Sequence, residues 1–479
     1  MSSPVWDSFC KIANLMGDKV AIVDAATGQS ITYRDLQRTA LSFAQVLKGR
    51  EEGAVAFVGE PDLASLPLVL ACAAAGRCFV PLSDHEPVER LMDILSHLPG
   101  PLLVASAELL SDLIEVEMCA PLDELGLSWQ IVEGQRITTG ALPFLVTHSS
   151  GSTGRAKAIA FMQDTKLKRT YQTINLFKVN EVDVVLSPTP FHHSLGQRHF
   201  FISMMTGATL VKAYPFRADL WINAVRDYDV TFAIPVSTHL KILQSQLLRD
   251  WDILSSFRCI VTSSAPAEPE FKRAILNKSD FSFWEIYGMS ETACATAVRY
   301  LNGDNLVHLG PAVLGSHIRI AADTSDGIGE IEIWSDCLCD GYWGDADRWS
   351  DALTDDGYFR SGDLGRLDEL GNLIYLGRLN ESFQCGGLVI FPGEIERLIS
   401  ELTQISDCVA FGLPDPVFGN IVSLAYIATD FLEERDLVKF FRSALPKHMW
   451  PNRLFRCDDF PKLSSGKVDR RGIIKRFSQ

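Results

Sequence analysis

Short apolar runs separated by amphipathic stretches dominate the first part of the chain. Residues 19–25 and 31–33 are two such runs on either side of a turn, and this pattern predicts a β-hairpin. Apolar residues then recur at helical spacing from Leu36 to Val46, which predicts an amphipathic helix opened by Asp35. Strand-like and helix-like segments continue to alternate as far as residue 81, and this alternation predicts a parallel sheet covered by helices.

The pattern changes twice after this region. A second αβ region is predicted from the apolar run at 141–146 onward, with strands within 182–187, 228–236 and 257–262. Residues 301–376 instead contain short strand-like runs and turns, which predicts a small β-barrel-like subdomain.

Length and charge narrow the class of protein. A chain of 479 residues is too long for one ordinary core, so at least two domains are expected. A net charge of −16 argues against nucleic acid as a partner. The last forty residues nevertheless carry ten basic and three acidic side chains, which is typical of a docking face for an anionic partner or of a solvated helix end.

Cysteine usage and the apolar stretches indicate the compartment. The 11 cysteines include no Cys-x-x-Cys pair, which favours reduced thiols and a cytoplasmic location. The sequence predicts no signal peptide and no membrane-spanning helix, which would need an apolar stretch of about 20 residues.

Residues 147–157 form the most unusual stretch of the chain. These eleven residues include five hydroxyl side chains, two glycines and one lysine, and they contain no carboxylate. Such a loop offers hydrogen-bond donors and positive charge to a polyphosphate. Only two residues separate Gly151 from Gly154, so the spacing does not match the Walker A loop. A Ser/Gly-rich surface turn is the alternative interpretation.

Four further motifs follow in a fixed order. They are Tyr-Gly-Met-Ser-Glu at 287–291, Tyr-Phe-Arg-Ser-Gly-Asp at 358–363, Gly-Arg-Leu-Asn at 377–380 and Pro-Lys-Leu-Ser-Ser-Gly-Lys at 461–467. With the 147–157 loop, they resemble the adenylate-forming superfamily, which includes acyl-CoA synthetases, peptide adenylation domains and luciferases. The resemblance covers residues 19–472.

The resemblance implies an α/β fold. It predicts a large N-terminal domain, 1–379, built from two αβα subdomains and a small β-barrel, and a mobile α+β C-terminal domain, 380–479. Asn380 stands at the hinge position, and asparagine tolerates unusual backbone angles.

The resemblance also assigns a nucleotide site for ATP. Physically, Tyr287 can stack on adenine, Asp363 can accept both ribose hydroxyls, and Glu291 is a hard oxygen ligand for Mg²⁺. The resemblance adds Ser290 and Lys467 to Glu291 as catalytic residues. The implied nucleotide-binding residues are Ser149, Ser150, Gly151, Ser152, Thr153, Gly154, Lys157, Tyr287, Gly288, Met289, Asp363 and Arg378.

The resemblance places an acyl pocket beside residues 188–196, where acyl-CoA synthetases have a Pro-x-Phe-His-x-x-Gly segment, and spacing back from Gly196 makes His193 the matching histidine. This segment has no carboxylate to pair with an α-ammonium group, which favours a plain carboxylic acid. Ser263 and Ser264 stand where relatives usually have two glycines before Ala-Pro. Serine side chains would make the pocket narrower or more polar, which favours a short or polar acid. The predicted pocket residues are His193, Ser263, Ser264, Ala265 and Gly288.

The implied reaction has two steps. An acid and ATP form an acyl-adenylate and pyrophosphate, and the acyl group then passes to the thiol of coenzyme A or of a carrier-protein phosphopantetheine. The alternatives are a stand-alone amino-acid adenylation enzyme, a non-catalytic nucleotide-binding homologue and a luciferase-like oxidase.

Overall fold

The computed structural model of the protein has an α/β fold. The structure describes residues 3–49, 53–98, 102–106, 118–122, 127–131, 142–149, 157–263, 269–278, 280–304, 306–322, 327–399, 402, 404–428, 432–461 and 468–477. The predicted loop residues 150–156, with Ser264, Ala265 and Lys467, lie outside these ranges.

The elements are numbered in chain order over the described residues. The first are α1 (Pro4–Met16), β1 (Val20–Asp24), β2 (Ser30–Thr32), α2 (Tyr33–Lys48), β3 (Ala54–Val58), α3 (Pro67–Ala75), β4 (Cys78–Leu82), α4 (Val88–Ser96), β5 (Leu102–Ser106), β6 (Met118–Leu122), β7 (Leu127–Ile131), β8 (Leu145–Ser149) and β9 (Lys157–Phe161). Next come α5 (Gln163–Phe177), β10 (Val184–Ser187), α6 (Ser194–Thr206), β11 (Thr209–Lys212), α7 (Ala218–Tyr228), β12 (Phe232–Ala233), α8 (Ser237–Leu247), β13 (Cys259–Thr262), α9 (Pro269–Lys278), β14 (Ser282–Met289) and β15 (Ala293–Tyr300). The last are β16 (Ser316–Ala322), β17 (Gly329–Ser335), β18 (Gly341–Tyr342), α10 (Ala346–Asp351), β19 (Phe359–Leu367), β20 (Leu373–Arg378), β21 (Phe383–Cys385), β22 (Leu388–Ile390), α11 (Pro392–Ile399), β23 (Ile405–Asp415), β24 (Gly419–Ala428), α12 (Glu434–Ala444), β25 (Arg453–Arg456) and α13 (Arg470–Phe477).

The chain divides into two compact units. The first comprises Met1–Ala265, Lys278–Ala295 and Ser335–Ala352. The second comprises Pro266–Asn277, Thr296–Trp334 and Leu353–Gln479. The domain boundary expected between residues 379 and 380 stays a prediction.

Two sheets form the framework of the first unit. One has the order β14-β13-β12-β10-β11-β1-β2, and the other has the order β18-β9-β8-β4-β3-β5-β7-β6. Most neighbours in the first sheet are parallel, while β1 and β2 form the expected antiparallel hairpin. Helices connect the parallel strands, as the alternating pattern predicts.

The division into two αβ regions was predicted wrongly in one respect. The hairpin β1–β2 joins β11 in the later sheet, whereas β8 and β9 join the earlier sheet through a parallel contact between β4 and β8. Local periodicity identifies strands but carries no information on partners distant in sequence. The strand that precedes the loop is also displaced, because it covers Leu145–Ser149 and not 141–146.

Local chemistry explains the helices that cover these sheets. The Thr32 hydroxyl caps α2 by accepting the Asp35 N–H at 3.1 Å, and Leu36, Ala40 and Phe43 face the core. Helix α3 is apolar and its first seven residues are buried, as expected for a helix covered on every side.

The second unit contains smaller sheets, in which β17, β19 and β20 pair in antiparallel fashion and β24 and β25 are parallel neighbours. The short strands expected between residues 301 and 376 form a four-stranded sheet in the order β16-β17-β19-β20. Further along, β23, β24 and β25 form a three-stranded sheet with α11 and α12 packed on a core that includes Ile395, Leu424 and Leu437.

Candidate active site

The arms of the predicted phosphate loop are an antiparallel strand pair. Strands β8 and β9 pair in a register that sets Ser149 opposite Lys157. The loop residues Ser150, Gly151, Ser152, Thr153 and Gly154 lie between these arms, outside the described residues. Their roles stay a prediction, as does that of Ser149.

Lys157 lies in a cluster of three polar side chains. Its Nζ donates to the Tyr342 hydroxyl at 3.0 Å and lies 3.5 Å from Oε1 of Glu291. The Tyr342 hydroxyl in turn donates to the same Glu291 oxygen at 3.0 Å. Burial, followed by the Glu291 charge, raises the pKa of Tyr342 above its ordinary value, so this hydroxyl stays protonated at neutral pH. The structure therefore joins two of the predicted site residues through a tyrosine that the sequence analysis missed.

Glu291 belongs to a tight turn between β14 and β15. The Thr292 N–H donates to the Met289 carbonyl, and the Met289 N–H donates to the Thr292 hydroxyl, both at 3.3 Å. A Cβ at position 288 would lie 1.8 Å from the Ala293 carbonyl oxygen, so only glycine permits this close approach. The turn holds Tyr287, Gly288, Met289, Ser290 and Glu291 in consecutive positions.

A buried arginine supports the turn from helix α5. The Arg169 guanidinium donates to the carbonyl oxygens of Ser290 at 2.7 Å, Glu291 at 3.1 Å and Cys337 at 2.8 Å. Burial lowers the pKa of Arg169 to about 10, which leaves it charged at neutral pH. The sequence did contain a signal for Arg169. Polar residues occupy buried positions of α5 at helical spacing, namely Lys166, Arg169, Thr170 and Thr173.

The histidine segment leads into helix α6. His193 is exposed and precedes the first residue of α6, while His192 is partly buried, with the two rings 4.4 Å apart. Burial, with smaller effects from His193 and His85, lowers the pKa of His192 to about 3, so its ring is neutral at pH 7. A Cβ on Gly196 would lie 2.2 Å from the Pro190 carbonyl oxygen, which explains the glycine of this motif.

A carboxylate that the sequence analysis missed lies beside this segment. Glu60 accepts the Phe191 N–H at 2.7 Å and forms an ion pair with Lys212 at 3.3 Å. Its charge is therefore already balanced by a lysine.

The other predicted pocket residues are only partly described. Ser263 forms a β-bridge with Val236, and Ser264 and Ala265 lie outside the described residues.

Two more of the predicted nucleotide-binding residues contact each other in the second unit. Asp363 and Arg378 are partners in the register of β19 and β20, and their side chains form an ion pair at 2.9 Å. Asp363 is 2% exposed, so its position is well defined by packing. Asn380 is exposed in a short 3₁₀ turn that follows β20 directly. Its role as a hinge stays a prediction.

Comparison with protein families decides the class. The model of the AMP-binding enzyme family matches residues 9–343, and that of the AMP-binding enzyme C-terminal domain matches residues 394–467. The chain belongs to the AMP-binding enzyme family. The match confirms the resemblance to adenylate-forming enzymes, because it covers more than half of the chain.

Individual relatives of this family match over nearly their full length. An indoleacetate–CoA ligase of Aromatoleum aromaticum is 24% identical, and a feruloyl-CoA synthase of an Amycolatopsis species is 25% identical, each with 94% of both chains covered. The o-succinylbenzoate CoA synthetase of Bacillus subtilis, solved with its acyl-adenylate intermediate, has a TM-score of 0.83 at 20% identity, with 97% of both chains covered. This AMP-binding enzyme is accordingly an AMP-forming acid–thiol ligase, which activates an acid with ATP.

Two further features concern only the residues that the structure describes. No described helix is long and apolar enough to cross a membrane. The ten cysteines whose side chains the structure describes are free thiols.

Proposed function

We propose that this enzyme activates a carboxylic acid without an α-amino group and transfers the acyl group to the thiol of coenzyme A. The observation that carries the proposal is the cluster of Lys157, Tyr342 and Glu291, which connects one arm of the phosphate loop with the Tyr-Gly-Met-Ser-Glu turn. A cation and a carboxylate held together in this way suit a magnesium-bound polyphosphate.

In the first step an oxygen of the acid forms a bond to the α-phosphorus of ATP while the bond to the bridging oxygen breaks. Pyrophosphate leaves with that bond's electron pair. The acid is already ionised at neutral pH, so no protein base is required. The obstacle is repulsion between anions, and Lys157 with the loop N–H groups lowers it by electrostatic stabilisation.

The donor chemistry of Glu291 fits a magnesium ion. Mg²⁺ in phosphate sites is usually held by one or two carboxylates together with substrate oxygens. Glu291 supplies such a carboxylate, with one oxygen already oriented by Tyr342. The ion would neutralise charge on the phosphates.

The neighbourhood of the histidine pair supports the choice of acid. An α-ammonium group requires an unpaired carboxylate, and the Glu60 carboxylate beside Phe191 is already paired with Lys212. Two of the relatives named above are an indoleacetate–CoA ligase and a feruloyl-CoA synthase. We therefore favour an aryl, branched or short acid over an amino acid.

The second step is assigned from the resemblance. The acceptor sulfur attacks the acyl carbonyl carbon as a thiolate, and AMP leaves with the electron pair of its bond. Lys467 serves the first step, and rotation about Asn380 exchanges it for a channel that admits the thiol arm. Coenzyme A is the favoured acceptor because the named relatives are CoA ligases or synthases.

A screen of acids by ATP–pyrophosphate exchange tests the first step. Wild-type enzyme should exchange with at least one non-amino acid, and exchange with amino acids alone would reject the choice of acid. Absence of exchange with every acid, together with retained ATP binding, would favour a non-catalytic nucleotide-binding protein. The best acid is then offered with coenzyme A or with a phosphopantetheinylated carrier protein, and thioester on the carrier alone would reject coenzyme A.

Lys467→Ala separates the two steps. It should abolish acyl-adenylate formation but preserve thioester formation from supplied acyl-adenylate. The exposed lysine of the same C-terminal segment, Lys475, provides the control variant Lys475→Ala, which should keep both activities. Equal loss of both steps in Lys467→Ala would contradict this division.

A further inference from the structure

A cleft rich in positive charge lies between helices α5 and α6. The cleft is small and partly open to solvent. Its lining residues are Lys166, Arg169, Thr170, Ser194 and Arg198. Three cations and two hydroxyl groups therefore surround one small space, a composition that favours an anion with oxygen acceptors.

Among the described residues, no carboxylate forms a close ion pair with these three cations, and the Glu291 charge makes only a minor contribution at Arg169. Arg169 donates to backbone carbonyls, and the Lys166 Nζ donates to the Gln197 side-chain oxygen at 2.9 Å. Arg198 is half-buried and forms neither a hydrogen bond nor an ion pair within the described ranges. Clustered cations without counter-charges are costly, because each loses hydration and repels the others.

The lowered pKa of Lys166 agrees with the excess of positive charge in the cleft. Lys166 is 5% exposed. Burial, followed by the charges of Arg169 and Arg198, lowers the pKa of Lys166 well below its ordinary value. A bound anion would favour the charged ammonium again.

The walls of the cleft border two segments of the predicted site. Arg169 holds the Ser290 and Glu291 carbonyls of the motif turn, so one wall of the cleft supports that turn. Ser194, on the opposite wall, directly follows His193 and begins the 13-residue helix α6. The N-terminus of a helix adds partial positive charge to the cleft.

We propose that this cleft binds a second carboxylate carried by the acid substrate, so that the preferred substrates are dicarboxylic acids. The inference rests on the proposed function and specifies its substrate class. Arg198, the half-buried cation without a described partner, is the specificity-determining residue. Arg169 is a positioning residue that serves the motif turn as well.

Matched acid pairs test this inference. Pyrophosphate release is measured for straight-chain and aryl monocarboxylic acids and for the dicarboxylic acids in which a terminal methyl group or ring hydrogen is replaced by a carboxylate. Wild-type enzyme should prefer at least one dicarboxylic acid over its matched monoacid. Arg198→Met should lower kcat/KM for that diacid by about 10- to 100-fold, the effect of losing a hydrogen bond to a charged group, mainly through KM. Arg198→Lys should recover part of the loss.

Lys168→Gln is the matched control. Lys168 lies on α5 between Lys166 and Arg169, but it is exposed and does not line the cleft. This variant should keep the preference for the diacid. Circular dichroism and the ATP affinity of every variant show whether a loss arises from misfolding.

Several outcomes would overturn the inference while leaving the proposed function intact. One is a preference of the wild type for monoacids throughout the series. Another is an unchanged ratio of diacid to monoacid in Arg198→Met. A third is stimulation of monoacid turnover by inorganic phosphate or sulfate without any preference for diacids, which would identify a site for a free anion. Failure of the proposed function itself would appear differently, as absence of pyrophosphate release with every acid.

Discussion

Two groups of charged side chains contact the Tyr-Gly-Met-Ser-Glu turn, and they differ in how their charge is balanced. In the first, Lys157 is balanced by Glu291 and connected to it through Tyr342. In the second, Lys166, Arg169 and Arg198 lie together, and no carboxylate of the described residues forms a close ion pair with them. A balanced group is ordered before its ligand arrives, whereas an unbalanced group gains its counter-charge from the ligand.

This difference separates two tasks. The polyphosphate of ATP is common to every reaction of the family, and a preorganised cluster suits a constant ligand. The acid differs between relatives, and a local excess of charge is a direct way to select one class of acid. The following predictions probe the two groups in order of decreasing effect.

Removing the carboxylate of the balanced group should have the largest effect. Glu291→Ala leaves Lys157 and Tyr342 without their acceptor and removes the proposed magnesium ligand. We expect kcat for pyrophosphate release to fall by about 10²- to 10³-fold, as for the loss of one preorganised electrostatic group. The exposed Glu89 gives the control Glu89→Ala, which should behave as wild type. A fall of less than threefold in Glu291→Ala would contradict a central role for this cluster.

Arg169 connects the two groups, so its removal should act mainly on stability. Arg169→Met leaves three backbone carbonyls without their donor, and we expect the free energy of unfolding to fall by roughly 2–4 kcal/mol. Urea unfolding followed by tryptophan fluorescence measures this change. An unchanged midpoint would show that Arg169 does not support the turn. Arg226→Met, at an exposed arginine paired with Asp250, should cost less than about 1 kcal/mol.

Acidification should destabilise the unit that contains the unbalanced group. Burial, followed by Arg198 and His239, lowers the pKa of His199 from 6.5 to about 3. The unfolded chain therefore binds a proton below about pH 6.5 that the folded chain refuses until about pH 3, so stability falls as the pH drops through this window. The contribution of His199 should be roughly 1.5 kcal/mol between pH 6.5 and 5.

Urea unfolding at several pH values measures this contribution. His199→Gln should show a shallower loss of stability on acidification than wild type, whereas the exposed histidine variant His97→Gln should follow the wild-type curve. Identical pH dependence in His199→Gln and wild type would reject the assignment.

The smallest effect is expected for the bridging hydroxyl. Tyr342→Phe removes one donor to Glu291, but Lys157 and Glu291 remain 3.5 Å apart and can pair directly. We expect activity to fall by only about 3- to 10-fold, less than the usual effect of losing a hydrogen bond to a charged group, because Lys157 remains beside the carboxylate. A loss as large as that of Glu291→Ala would mean that the tyrosine has a direct part in the reaction.

Sequence patterns alone were sufficient for the fold class, for most strand positions and for the order of the motifs. Gly288 and Gly196 show why, because each stands where a Cβ would collide with a backbone oxygen. Such steric demands act on the nearest residues and therefore appear as short motifs. The pairing of Asp363 with Arg378 also follows motif positions, because both lie on adjacent strands of one small sheet.

Only the tertiary structure decided which sheet each strand joined and which side chains met across long distances in the chain. Tyr342 reaches Lys157 because β18 pairs with β9, and Arg169 reaches Ser290 because α5 packs behind the turn. The balance of charge around Arg198 depends on three-dimensional neighbours as well. Residue spacing reports contacts within a few turns of the backbone, whereas electrostatic balance is a sum over every group that folding brings together.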